Sequence, residues 1–147
     1  MATDPARLQQ NEQIVEHFFQ PINARRLEDL PKYMAADVVD HNKIIYGEVD
    51  KPGAAFEGLR QQLVAFNPLH FHIEELIAEG DRVEAWITRS VVQSGYHPRM
   101  TEPTHRSALV EGICLFTIKD GKISEIRAVV DRLGLFLQLG WDWPKVD

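Results

Sequence analysis

Asp131 carries the most chemical information in this chain. It is a carboxylate at the end of the apolar run 123–130 and directly ahead of the amphipathic segment 133–139. An ionised carboxylate is costly to hold against an apolar wall. Such a residue is therefore either a proton-transfer group or the N-cap of the following helix, where Asp is favoured, and the two roles are compatible. Arg127 precedes it by four residues, roughly 13 Å along an extended strand, on the face expected for Val129 and Asp131. Across a cavity it would bind a substrate carboxylate or enolate, or stabilise the ionised Asp131; a surface salt bridge is its plain alternative. His41 and Asn42 end a short extended segment, where a surface or loop position is the plain reading of His41. Tyr46, Phe66, Trp86 and Phe116 are candidates to line a pocket for a flat ligand, core packing being the competing role. Cys114 sits in an apolar strand as a pocket candidate or a buried thiol, with no base beside it. His70 and His72 alternate with Phe71 and Ile73, so one pair faces inward; His72 is kept as a binding candidate. With Glu74 they have only the generic spacing of a strand and no evident third ligand, so no metal is expected.

Helices must position the first of these residues and strands the rest. Ile14, Val15, Phe18, Phe19 and Ile22 recur on one helix face, and that helix is expected to end near Pro21. A second short helix is expected over 27–34, followed by the extended stretch 38–42 and a loop over 43–52. Leu59, Leu63, Val64 and Phe66 mark a third helix that stops before Asn67-Pro68. Segments 71–78, 83–92, 107–118 and 123–130 are rich in β-branched and aromatic residues and predict four long antiparallel strands. Gly80-Asp81 and Asp120-Gly121 supply residues that tolerate positive φ in tight hairpins. The link 93–106, with Pro98 and Pro103, is expected to form a flap at one end of the sheet. Trp141 and Trp143 are expected to dock on the domain or across a dimer. Helices first and strands afterwards predict an α+β fold: a curved antiparallel sheet packed against N-terminal helices, able to enclose a pocket.

A chain of 147 residues suits one domain over 1–147. The net charge of −6, without any stripe of Lys and Arg, disfavours nucleic acid and anionic membrane as partners. The lone Cys114 excludes an internal disulfide, and no run of about 18 apolar residues or export-type leader is evident, so a cytoplasmic protein is expected.

Several motifs in order resemble the SnoaL-like polyketide cyclases, or ester cyclases, of the nuclear-transport-factor-2-like superfamily. They are Asp40-His41-Asn42, Phe56-Glu57-Gly58-Leu59-Arg60, the segment 73–83, Glu102-Pro103-Thr104, the segment 120–125, and 131–140 beginning Asp131-Arg132-Leu133-Gly134. The resemblance spans nearly the whole chain and implies a cone-shaped α+β barrel, usually a homodimer, with an apolar cavity. It also implies a role for Asp131, as the acid/base of an intramolecular aldol closure that needs no metal or cofactor. Such chemistry removes a proton next to a carbonyl and stabilises the enolate with hydrogen-bond donors. The chain departs from the family pattern at Cys114, where a histidine is usual, at Val91-Val92-Gln93, and at Arg127, where a tryptophan is common. The leading expectation is a cofactor-independent cyclase or isomerase of secondary metabolism, acting on a hydrophobic carbonyl compound, with Asp131, His41 and Arg127 catalytic. Asn42, Tyr46, Phe66, His72, Trp86 and Cys114 would bind substrate. The alternatives are a non-catalytic small-molecule binding protein of the same fold, or an epoxide hydrolase or hydratase-like enzyme.

Overall fold

The structure is a computed structural model and describes residues 4–45, 48 and 51–141. Asp4 caps the first helix, α1 (Pro5–Asn23), by accepting the Ala6 N–H at 3.2 Å, and Pro5 takes a first-turn position where no N–H is needed. Val15, Phe18, Phe19 and Ile22 form its buried stripe. The helix does not stop at Pro21: it carries the proline inside and ends at Asn23, because Pro21 and Ile22 are both buried against the sheet. Asn23 then clamps Phe71, donating Nδ2 to its carbonyl at 2.9 Å and accepting its N–H at 2.7 Å. A 3-10 helix over Leu27–Lys32 buries Leu27 and Leu30, where an α-helix to residue 34 was expected.

Five strands form one sheet: β1 (Met34–Asp40), β2 (Phe66–Glu79), β3 (Arg82–Gln93), β4 (Ser107–Lys119) and β5 (Lys122–Val130). Their order is β1-β5-β4-β3-β2. Four strands pair antiparallel as expected; β1 is an addition, running parallel to β5 at one edge. Two short helices, α2 (His41–Ile45) and α3 (Ala54–Ala65), separate β1 from β2, and α4 (Arg132–Gln138) follows β5. The third helix ends one residue earlier than its apolar pattern implies, and Phe66 opens β2, which runs through the cis Asn67-Pro68 bond. The hairpins close with Gly80-Asp81 and Asp120-Gly121, whose Gly80, Asp120 and Gly121 all have positive φ.

Alternation sorts the sheet into two faces. On β4, Ala108, Val110, Gly112, Cys114, Phe116 and Ile118 point inward, and Leu109, Glu111 and Ile113 point out. The helix α1 covers one end of the inner face, where Phe18 and Phe19 meet Phe116 edge-on with ring centroids 5.6 and 6.0 Å apart.

At the other end the link between β3 and β4 folds back as the expected flap, organised by one buried side chain. Gln93 donates Nε2 to the carbonyls of Met100 and Glu102, each at 3.2 Å. Its Oε1 accepts from Thr104 Oγ1 at 2.8 Å and from the Trp141 indole at 3.1 Å. Trp141 therefore docks on its own domain; Trp143 lies outside the described residues. Replacing Gln93 by Leu keeps the volume but strips the partners of these four bonds, and should cost about 3 kcal/mol of unfolding free energy in urea melts. A change near zero would mean that the flap is held by other contacts.

Candidate functional site

Between the sheet, α3, the flap and α4 lies a cavity of about 520 Å³, within the range of small-molecule sites. Its floor is the inner face of β3, β4 and β5, where Arg89, Val110 and Val130 project. One wall is α3, which presents Ala55, Gly58, Leu59 and Gln62. The flap contributes His97 and Met100, and α4 contributes Leu135 and Phe136. Polar groups gather at the junction of β1 and α2, with Asp40, Asn42 and Lys43, and at the start of α4, with Asp131 and Arg132.

Asp131 joins the cavity lining, and it also caps α4: Oδ1 accepts the Gly134 N–H at 2.8 Å. The residue is exposed rather than sunk in the apolar wall expected from the run before it. Gly134 is required by this arrangement, since a Cβ there would lie 2.2 Å from Asp131 Oδ2. Asn42 also lines the cavity, and its Oδ1 accepts the Ala128 N–H at 2.9 Å, which orients the amide so that Nδ2 faces away from the strand.

The remaining expected site residues lie elsewhere. His41 is held by Glu125, with Nε2 2.9 Å from Oε2. Glu125 pairs with Thr117 on the register that points away from the cavity. Arg127 and Trp86 are exposed on that same outer face, where the Trp86 indole donates to Glu111 at 3.1 Å. His70 and His72 pair with Ser90 and Thr88 and also face outward, with Phe71 and Ile73 inward. Cys114 is buried on the inner face below the cavity floor, and burial pushes its thiol pKa up to about 12, so the thiol stays protonated. Phe66 is fully buried beneath Arg89. Phe116 belongs to the aromatic core under α1. Tyr46 lies outside the described residues.

Arg89 has no counterpart among the residues singled out from the sequence. An arginine on a strand of alternating pattern reads as a surface group, and only the register places it inward, paired with Val110. Its guanidinium carbon lies 5.5 Å from the Phe66 ring centroid and 6.0 Å from that of Phe71. Nη1 donates to Gln62 Oε1 at 2.6 Å. Burial, with the charge of Arg132 added, brings its pKa down to about 10, which still leaves the guanidinium protonated near neutral pH. Glu48, close to the cavity mouth, is held below the usual carboxylate range by a hydrogen bond from Lys43 at 2.6 Å and by the charges of Lys43 and Arg99.

The flap carries a titratable contact. His97 Nδ1 accepts the Arg99 N–H at 3.1 Å, so the neutral ring carries its proton on Nε2. Burial first, and then the Arg99 charge, lower the His97 pKa. A histidine whose folded pKa is depressed favours the folded state above its ordinary range, and that advantage is lost as pH falls through it. Amides of 94–106 should therefore lose hydrogen-exchange protection between about pH 7 and pH 5, and His97→Asn, which keeps an acceptor without titrating, should flatten the dependence. An unchanged profile in the variant would remove His97 from the explanation.

Fold and sequence comparisons agree on relationship. Structures similar to this one include TsrD from Streptomyces laurentii, with a TM-score of 0.80 and 25% identity, covering 94% of this chain and 98% of that one. IdmH from Streptomyces antibioticus has a TM-score of 0.74 and 19% identity, with 89% and 99% covered. A SnoaL-like polyketide cyclase from Agrobacterium tumefaciens C58 has a TM-score of 0.73 and 15% identity, with 88% and 98% covered. No curated protein matches the chain. The sequence model of one family matches residues 12–139, most of the chain's length, and with this fold it places the protein: the chain belongs to the SnoaL-like polyketide cyclase family.

Proposed function

We propose that this protein is a cofactor-independent acid/base enzyme that admits an apolar carbonyl compound to the cavity and promotes ring closure or isomerisation. The observation that carries the reading is the meeting of Asp131 and Asn42 on one cavity lining. Asp131 Oδ1 holds the helix cap, which leaves Oδ2 as the basic atom to take a proton from the carbon beside the carbonyl. Asn42 Nδ2 is the donor for the developing enolate oxygen, because Oδ1 is already committed to Ala128. His41 and Arg127, on the other face of the sheet, take no part in this scheme. The proposed compartment is the cytoplasm, in line with a single buried thiol.

A binding protein without catalysis is the second reading, favoured by the exposure of Asp131 and its engagement as a cap. Exchange of the α-protons of an aromatic β-keto ester into D2O, followed by NMR, separates the two. Asp131→Asn should slow the protein-catalysed exchange by about 10²- to 10⁴-fold and leave stability within a few tenths of a kcal/mol, since Asn caps as well as Asp. Gly134→Ala should also depress exchange, because the new methyl displaces the carboxylate, while better helix propensity of about 1 kcal/mol offsets the weakened cap. Exchange that persists in Asp131→Asn defeats the acid/base role.

We further propose a homodimer formed through the outer sheet face, where Trp86, Leu109, Ile113 and Val129 are exposed, Val129 to 78%. Ile113→Glu should then sediment as a monomer at concentrations where the native chain is dimeric.

A further inference from the structure

The geometry points to Arg89 as an anion anchor: we infer that the preferred ligand of this cavity is an apolar molecule bearing a carboxylate, with Arg89 gripping that group at the cavity floor. The inference rests on the small-molecule site proposed above but not on catalysis by Asp131. Guanidinium groups largely withdrawn from water, as that of the half-buried Arg89 is, are ordinarily paired with carboxylates, because an isolated charge away from water is costly. Among the described residues Arg89 has no ion pair, its buried Nε has no hydrogen-bond partner, and its hydrogen bond to Gln62 goes to a neutral amide. The other cations of the lining differ. Lys43 and Arg99 each have an ion-pair partner on the protein, the shared carboxylate of Glu48.

The surroundings of Arg89 also select the shape of the partner. Phe66 and Phe71 lie against its guanidinium and Gln62 takes Nη1, so the open approach is from the cavity. A planar carboxylate matches a guanidinium fork, and apolar Leu59, Met100 and Leu135 would receive the rest of the molecule. The expectation that a strand arginine would bind a substrate carboxylate thus passes from Arg127, outside the cavity, to Arg89 within it.

Calorimetric titration of the full chain with 2-naphthoate and with 2-naphthamide, its neutral counterpart of the same shape, tests the inference. The native chain should bind the carboxylate on the order of tenfold or more tightly than the amide. Arg89→Met should abolish that preference while retaining amide binding. Thermal melts give a second readout: naphthoate should raise the melting temperature of the native chain and not that of Arg89→Met. If Arg89→Met does not fold, Arg89→Gln takes its place, with the same loss of preference expected. Equal affinities, no detectable naphthoate binding, or a preference that survives Arg89→Met would overturn the inference.

Discussion

The inner face of the sheet has to be covered, and one helix is too short to cover it. The 13 residues of β4 extend over at most roughly 44 Å, while the 19 residues of α1 span roughly 28 Å. Under α1 the face is packed with aromatic rings, Phe18 and Phe19 against Phe116, as the burial of apolar area demands. Beyond that cluster the residues shrink to Ala85, Cys114 and Ala128, and then give way to Arg89 and Val110. The uncovered end is closed instead by α3, the flap and α4, which meet around a space rather than filling it. The cavity is thus a consequence of mismatched element lengths.

Closing a space with loops and short helices requires polar ties, because the backbone of such segments has no ladder to satisfy it. Gln93 performs this for the flap, accepting and donating at a point where the strand has just ended. Asp131 performs it for α4, and Asn42 for the turn that leaves β1. Each of these side chains stands where a strand gives way to a loop or helix. Structural ties and candidate chemistry therefore occupy the same border of the cavity, and a carboxylate that caps a helix is also held in a fixed place beside a ligand.

Much of the architecture was legible in the sequence. Strand alternation, the Gly80-Asp81 and Asp120-Gly121 turns and the stripe on α1 are local patterns with local causes, and they reappear with small shifts of boundary. The stop at Pro21 failed because burial of Pro21 and Ile22 outweighed the lost helix hydrogen bond, and β1 was understated because its pairing with β5 depends on a partner some 85 positions away, as Asp40 with Ile126 shows. Among site residues, Asp131 and Asn42 were found where family pattern and turn chemistry coincide. Arg89 was missed, because charge on an alternating strand reads as exterior.

Family membership and the α+β class follow from the sequence alone, since motif order and hydrophobic period are properties of the chain read in one dimension. Which side of the sheet a residue serves is a different kind of fact. His41 and Arg127 were placed with Asp131 by type and spacing, yet a strand sends alternate side chains to opposite faces, and only the assembled register decides which face is enclosed. The tertiary structure therefore put Arg89 inside and Arg127 outside, although both are arginines on strands of one sheet, β3 and β5, with β4 between them.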